Sequence, residues 1–327
     1  MAHNTVAVVP RDRFSATVRT IQSILRGTAK GFRLIVVEGG APPRYRTAIE
    51  RAVRGHKVEI LRSEDFITAN AAKNWVLREA RDGEFLAFVE NDNLVTPGWL
   101  ERLIRACEEE EAEVARPMLF ERKIIRVHPH FDQRLDRIEP IETQRGPGYR
   151  FRPRKVPLDA DINSARRLSD VLETHCLLFR RSVFARIGEF DKRITTRQEV
   201  DLALQLKAAG ARIVFEPAAQ VTYLRPPPVR PDERDYFLMR WDPDSAVRSH
   251  EIIREKWNVE GLPSSLQFVR HRRAYTSYPR YAVHYLRHEV GPYVRYDLGE
   301  RLRYRVYRAL ALLPEPVREP AQRVLYR

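Results

Sequence analysis

What this chain lacks narrows its class first. It has only two cysteines, Cys107 and Cys176, far apart and without metal-ligand spacing, so both read as buried thiols. No apolar run approaches the roughly 20 residues of a membrane-spanning helix. The N-terminus also has no basic region followed by an apolar stretch, so the expected location is cytoplasmic. The G-x-G-x-x-G of a dinucleotide site and the lysine-ended P-loop are both missing, which argues against a dehydrogenase and an ATPase.

What is present is an ordinary globular composition with a strong basic bias. At 327 residues and 43% hydrophobic content, the chain can bury a sizeable core in one large domain or two smaller ones. The formal net charge of +14 calls for an anionic partner. Charge alone does not choose among nucleotide, nucleic acid and anionic lipid.

The stretch around which the rest is arranged is Phe85 to Asn93, FLAFVENDN. Five apolar residues predict a strand buried on both faces of a parallel sheet, and it stops abruptly in Glu90, Asn91, Asp92 and Asn93. In open α/β sheets ligands gather outside the carboxyl ends of strands, so a site is expected at this turn. Mg2+ and Mn2+ prefer carboxylate oxygens, and Glu90 and Asp92 suit them. Taken alone, the four residues fit equally well an acidic turn without metal. An EF-hand is a poor match, because its fifth position would fall on Leu94 and its glycine on Val95.

Upstream, short valine-rich strands alternate with helices. Thr5 to Val9 predicts a strand ended by Pro10, and a helix with Phe14, Val18, Ile21 and Leu25 on one side follows. Phe32 to Val37 predicts a second strand ending in Glu38, Gly39 and Gly40, where glycine permits a sharp turn. Tyr45 to Val53 reads as a helix, Lys57 to Leu61 as a third strand, and Ala69 to Ala80 as the helix leading into FLAFVENDN. This alternation predicts right-handed crossovers and a mostly parallel, Rossmann-like sheet flanked by helices.

Downstream, Val171 to Phe179 predicts a strand whose Glu173, Thr174 and His175 face a cleft. Gln198, Glu199, Val200 and Asp201 open a helix, and Ile213 to Pro217 give the last strand of the domain. Trp99 is expected in the core, and Glu108 to Glu111 on a solvated helix side. A strand is expected near Ile124 to Val127. His128 and His130 lack a clear third metal ligand, and a flap over the acceptor site is expected there.

The ordered segments VVEGG, NAAKNW, FLAFVENDN with PGWLERL, FRRSVFARIGEFD and QEVDLALQLKAAGARIVFEP resemble family 2 glycosyltransferases of the GT-A fold, from the N-terminus to about residue 225. The resemblance implies an inverting transferase that moves a sugar from a nucleotide-diphosphate sugar to an acceptor hydroxyl, in glycan or glycolipid synthesis. It implies a nucleotide-sugar site of Pro10, Arg11, Glu38, Lys73, Asn74, Glu90, Asn91 and Asp92. Glu90 to Asp92 match the DXD-type motif, so Asp92 and Glu90 become the expected ligands of Mg2+ or Mn2+. Glu199 falls on the position of the catalytic base, with Asp201 second, and Glu173, Thr174 and His175 are assigned to the acceptor.

The chain departs from the family pattern in three places. Glu90 stands at the usual first Asp, Gln198 at the first acid of the base motif, and Val221, Thr222, Tyr223 and Leu224 occupy the segment where many relatives carry a metal-binding histidine. The alternative these departures keep open is a non-catalytic GT-A scaffold that retains nucleotide binding.

The expected division is a catalytic domain over 1–228, with a nucleotide-sugar half to about 115 and an acceptor half from about 116, then a mainly helical basic extension over 229–327. Asp235 to Trp257 looks helical in parts, and the resemblance implies that it folds over the donor pocket. Leu298, Leu302, Val306, Leu310 and Leu313 share one helix side, with Arg301, Arg303, Arg305 and Arg308 on the others. Such a helix fits the anionic inner membrane face, which would suit a lipid-linked acceptor, and equally fits packing on the catalytic domain or a homo-oligomer. RNA binding through interleaved arginine and tyrosine is the weaker expectation.

Overall fold

Residues Val6 to Val9 and Leu86 to Val89 are at most 1% exposed, as a strand covered by helices on both faces requires. The computed structural model describes residues 4–122, 127–129, 137–152, 165–224 and 228–284. Strands β1 (Thr5–Val9), β2 (Arg33–Val37), β3 (Val58–Leu61) and β4 (Phe85–Glu90) alternate with helices α1 (Thr17–Gly27), α2 (Pro43–Val53) and α3 (Ala69–Glu79). β1 pairs in parallel with both β2 and β4, and β2 with β3. The expected first half is therefore present, with element ends within two residues of the sequence reading.

The second half completes the sheet. β5 (Asn93–Val95), α4 (Trp99–Glu109), β6 (Val114–Arg122), β7 (Val127–Pro129), β8 (Arg137–Thr143), β9 (Gly146–Arg152) and β10 (Arg167–Leu168) come first. β11 (Cys176–Arg180), α5 (Phe184–Ile187), α6 (Gln198–Ala208) and β12 (Ile213–Leu224) follow. The strand order is β10-β12-β6-β11-β4-β1-β2-β3, with β5 on β12 and β7 on β6. β11 runs antiparallel to both β4 and β6, the one reversal in an otherwise mainly parallel centre. Trp99 is fully buried, and its indole N–H donates to Thr28 Oγ1 at 2.9 Å. Cys107 and Cys176 are free and buried.

Two sequence expectations are corrected here. The strand expected from Val171 begins only at Cys176, because Thr174 and His175 form a turn just before it, where His175 O accepts from Glu90 N–H. The last strand does not end at Pro217 but continues to Leu224 across an irregularity between Glu216 and Gln220. Of the strand expected near Ile124 to Val127 only Val127 is described, as the first residue of β7, and residues 123–126 and His130 lie outside the described residues.

Past β12, α7 (Arg234–Arg240) and α8 (Pro243–Trp257) supply the expected helices, followed by β13 (Val259–Glu260) and α9 (Leu266–Arg273). β13 joins β9 and β8 in a separate three-stranded sheet. One compact unit runs from Met1 to Arg273, so the division expected near 228 falls inside it. The second unit is Ala274–Arg327, and its described part contains α10 (Tyr278–His284). The proposed amphipathic helix with Leu298 to Leu313 lies outside the described residues. Among the described residues no helix is long and apolar enough to cross a membrane.

Candidate active site

The carboxyl ends of β1, β2 and β4 place three loops side by side. After β2 the chain turns on Gly39 and Gly40, with φ of +64° and +75°. A Cβ on Gly39 would come within 2.7 Å of Pro10 Cγ, so glycine lets the Glu38 turn lie directly on the end of β1. Glu38 is 1% exposed, and neither carboxylate oxygen has a hydrogen-bond partner among the described residues. Arg46 and Arg62 approach it only at 3.4 and 3.8 Å. Burial raises its pKa against the pull of these arginines.

Asn91 fastens the loop after β1 to the acid turn. Its Nδ2 donates to Arg13 O at 2.6 Å and Thr17 Oγ1 at 2.8 Å, while Arg11 N–H donates to its Oδ1 at 3.2 Å. Asn74 is likewise committed, donating to Phe190 O and accepting from Phe190 N–H, both at 2.8 Å. Both amides were expected to hold nucleotide. In the structure their polar atoms are used to position backbone, because a buried amide must find its partners inside the protein.

Glu90 and Asp92 are buried beside arginine. Arg11 Nε lies 3.0 Å from Glu90 Oε2, and Arg11 NH1 lies 3.4 Å from Asp92 Oδ2. Arg13 NH2 stands 3.8 Å from the same Asp92 oxygen. Thr174 donates to Glu90 Oε1 at 3.0 Å, His175 Nδ1 is 3.2 Å from Glu90 Oε2, and Asn93 donates to Asp92 Oδ1 at 2.9 Å. At an effective dielectric near 20, unit charges this close attract by about 5 kcal/mol, several times their attraction in water, which is enough to fix the orientation of Arg11.

The titration of the two acids follows from these partners. Burial opposes ionisation of Glu90, yet Arg11 and His175 outweigh it and hold its pKa well below the usual carboxylate range. For Asp92 burial prevails over Arg11 and Arg13, and its pKa is pushed up to about 6.

Thr174 and His175 both contact Glu90, and His175 also lines a small cavity with Glu173. At 8% and 3% exposure they buttress Glu90, because the turn before β11 abuts the end of β4, where Glu90 N–H donates to His175 O at 2.9 Å. Glu173 is half-buried and lines a small cavity with Arg116 and Leu119.

Glu90, Asp92 and His175 each offer one ligand atom, and the three atoms lie within 4.8 Å of one another, a set able to hold a cation. One oxygen of each carboxylate, Glu90 Oε2 and Asp92 Oδ2, is paired with Arg11.

Lys73 connects the acid turn to the base region. It is 2% exposed on α3, and its Nζ has no hydrogen-bond partner among the described residues. Burial lowers its pKa to about 8, opposed by Glu90 and Glu199, so both carboxylates act on this one ammonium. Arg240 of α7 feels the same two acids as well as Arg11.

Glu199 sits in the first turn of α6, half-buried, with Arg197 NH1 at 3.9 Å. Arg197 adopts φ +60°, a left-handed conformation uncommon outside glycine, and its guanidinium donates to Pro263 O at 3.2 Å. Asp201 is not available in the same way. Its Oδ1 accepts from Lys256 Nζ at 2.9 Å and Trp257 Nε1 at 2.6 Å. Lys256 and Trp257 line a cleft of about 530 Å³ with Glu142 and Tyr149. Asp201 is therefore a support for that cleft, and the second base assignment is corrected.

The sequence reading missed Asp12, Arg13 and Arg240. Asp12 is fully buried and accepts from Trp241 Nε1 at 3.2 Å. The R-x-R directly after Pro10 was the only local signal. Arg240 and Trp241 reach the site from more than two hundred residues away, with no local pattern to announce them.

A mostly parallel sheet with an acid-rich turn at the carboxyl end of its central strand places the chain among the Rossmann-like α/β proteins. Residues 5–188 match the family "Glycosyl transferase family 2", more than half the chain, and the protein belongs to that family.

Among curated relatives, it is 26% identical over 225 residues to the pre-mycofactocin glycosyltransferase of Mycobacterium tuberculosis, covering 67% of this chain and 42% of that protein. It is 27% identical over 176 residues to the O-antigen biosynthesis protein RfbC of Myxococcus xanthus, covering 51% of this chain and 13% of that protein. The chain thus spans less than half the length of either relative.

The fold is shared with GT-A glycosyltransferases. GalNAc-T7, solved with UDP, GalNAc and Mn2+, gives a TM-score of 0.52 at 14% identity, over 79% of this chain and 55% of that one. S. aureus TarS 1-349, in complex with UDP-GlcNAc, gives 0.51 at 12% identity, over 96% and 82%.

Proposed function

We propose that the protein is an inverting glycosyltransferase that moves a sugar from a nucleotide-diphosphate donor to an acceptor hydroxyl in glycan or glycolipid synthesis. The observation that supports this reading is that Lys73, buried on α3 with no hydrogen-bond partner for its Nζ among the described residues, feels the charge of both Glu90, at the strand tip, and Glu199, at the start of α6.

In this reading the nucleoside lies along Pro10 and Glu38, whose carboxylate oxygens, without a hydrogen bond among the described residues, accept from base or ribose. The diphosphate lies toward Lys73 and Arg11. The acceptor oxygen attacks the anomeric carbon as the bond to the diphosphate breaks. The hydroxyl proton passes to Glu199, and the bonding electron pair leaves on the diphosphate oxygen. Positive charge fixed beside that oxygen stabilises the transition state more than the ground state, because the charge develops there only as the bond breaks.

The acceptor is assigned to the cleft lined by Tyr149 and Trp257, whose indole is anchored by Asp201 of α6, two residues along the chain from Glu199. A lipid-linked acceptor at the inner membrane face, met by the basic C-terminal segment, belongs to this proposal. It is supported by the net charge of +14.

A divalent cation, Mg2+ or Mn2+, would be held by Glu90, Asp92 and His175, where it would supply charge neutralisation for the departing diphosphate. The fit is poor in one respect. Arg11 already pairs with both carboxylates, so the positive charge such an ion would bring is present without it.

The test is turnover of a panel of sugar nucleotides, beginning with UDP-GlcNAc and UDP-GalNAc, by the wild type and Glu199→Gln. Turnover by the wild type, abolished in the variant with donor binding retained, is the expected result. Nucleotide binding without turnover of any donor would instead make the protein a scaffold.

A further inference from the structure

The carboxylates of the acid turn are occupied by this chain's own cations. Arg11 bridges Glu90 at 3.0 Å and Asp92 at 3.4 Å, and their other oxygens accept from Thr174 and Asn93. A hard divalent ion needs bare oxygens at short range, about 2.0–2.2 Å for Mg2+ or Mn2+. It could claim them only by expelling the guanidinium.

Arg11 is built in on its other side as well. Its guanidinium carbon lies 4.7 Å from the ring centroid of Tyr223, and that ring packs 4.5 Å from the ring of His175. Tyr223 is fully buried on β12, paired opposite Asn93 of the acid turn. An aromatic face offers a cation an attractive seat but is no ligand for a hard metal. The departure at Tyr223 and the presence of Arg11 therefore belong together: the tyrosine provides the surface on which the arginine rests.

Arg11, Arg13, Lys73 and Arg240, each at most 8% exposed, stand against the fully buried acids Asp12, Glu90 and Asp92 and the half-buried Glu199. Lys73 Nζ in particular is a buried donor with no hydrogen-bond partner among the described residues, and such a group calls for an anion.

Resting on the transferase reading above, we infer that Arg11, seated on Tyr223, is the resident cation of the acid turn. With Lys73 it forms a diphosphate-binding site that works without a divalent metal. Its ligand class is a nucleoside diphosphate, free or as the leaving group of a sugar nucleotide.

The experiment is calorimetric binding of inorganic pyrophosphate and of UDP, GDP, CDP and dTDP to the full chain, in EDTA and in Mn2+. Mn2+ binding is followed separately by electron paramagnetic resonance. The wild type is expected to bind at least one of these diphosphates equally well in both conditions, and to leave the spectrum of free Mn2+ unchanged. Arg11→Met should weaken diphosphate binding in EDTA by more than about tenfold, as loss of a buried charge-assisted contact does. By uncovering Glu90 and Asp92 it should also create Mn2+ binding that the wild type lacks.

Loss of diphosphate affinity in EDTA with recovery in Mn2+, or a bound-Mn2+ spectrum in the wild type, would overturn the inference and leave the transferase reading standing. Failure of every diphosphate to bind in either condition would overturn both. These wild-type measurements decide the matter even if Arg11→Met does not fold.

Discussion

The amide of Asn74 closes on the backbone of Phe190 at both ends, with Nδ2 to the carbonyl and N–H to Oδ1 each 2.8 Å long. One side chain of α3 thereby fixes the loop that runs into α6, where Glu199 begins the helix. Asn70, one helical turn earlier, adds a bond to Asp191 O at 2.9 Å. The donor side and the base side of the pocket are joined through this helix.

Asn74→Ala leaves the buried N–H and C=O of Phe190 unpaired, and should lower stability by about 2–4 kcal/mol, read from urea unfolding midpoints. Nucleotide affinity of the folded fraction should be unchanged. A variant of normal stability with weakened nucleotide binding would restore the role expected from sequence.

Lys73 should leave a signature in the pH dependence of stability. Its pKa falls from the usual 10.5 to about 8 because burial disfavours the ammonium. Below pH 8 both folded and unfolded chains carry the proton, and the folded one bears the full penalty of burying the charge. Between pH 8 and 10.5 the unfolded chain holds the proton while the folded chain sheds it, so this group makes stability rise with pH. Lys73→Met should be more stable than the wild type at pH 7 and should lose part of that rise, measured by urea midpoints from pH 7 to 10. An unchanged slope would place the lysine in water.

Gly40 and Gly210 separate backbone strain from crowding. Both have positive φ, +75° and +63°, but a Cβ on Gly40 would meet Asp65 O at 2.6 Å, whereas one on Gly210 has nothing within 4 Å. Gly210→Ala should cost about 1–2 kcal/mol from the left-handed conformation alone. Gly40→Ala should cost more, and should weaken nucleotide binding by moving Glu38. Equal melting temperatures for the two variants would contradict the packing at the β2 turn.

Asp201 and Glu199 should part kinetically. Glu199→Gln removes the proposed base and should reduce kcat by on the order of 10²–10⁴. Asp201→Ala releases Lys256 and Trp257 from their anchor, and should act mainly on the KM for acceptor. Initial rates at saturating donor, across acceptor concentrations, give both values. An equal loss of kcat in the two variants would return Asp201 to the chemistry.

Much of the fold was legible because its signals are local. Valine-rich runs punctuated by Pro10, Gly39 and the ENDN turn gave β1, β2 and β4 with their helices between them, and hydrophobic periodicity is decided within a few residues. The strand starting at Cys176 was placed too early, because apolar residues such as Val171 and Leu172 look the same in a buried loop as in a strand.

The sequence by itself determined the order of strands and helices and the acid-rich end of β4, since each follows from neighbours along the chain. Only the tertiary structure decided what the polar side chains are used for. Asn74 and Asn91 became backbone clasps, Asp201 became the anchor of Trp257, and Arg11 came to rest between Glu90, Asp92 and Tyr223. The physical reason is that a buried donor or charge is committed by whatever partner the fold brings within reach, and those partners lie tens to hundreds of residues away.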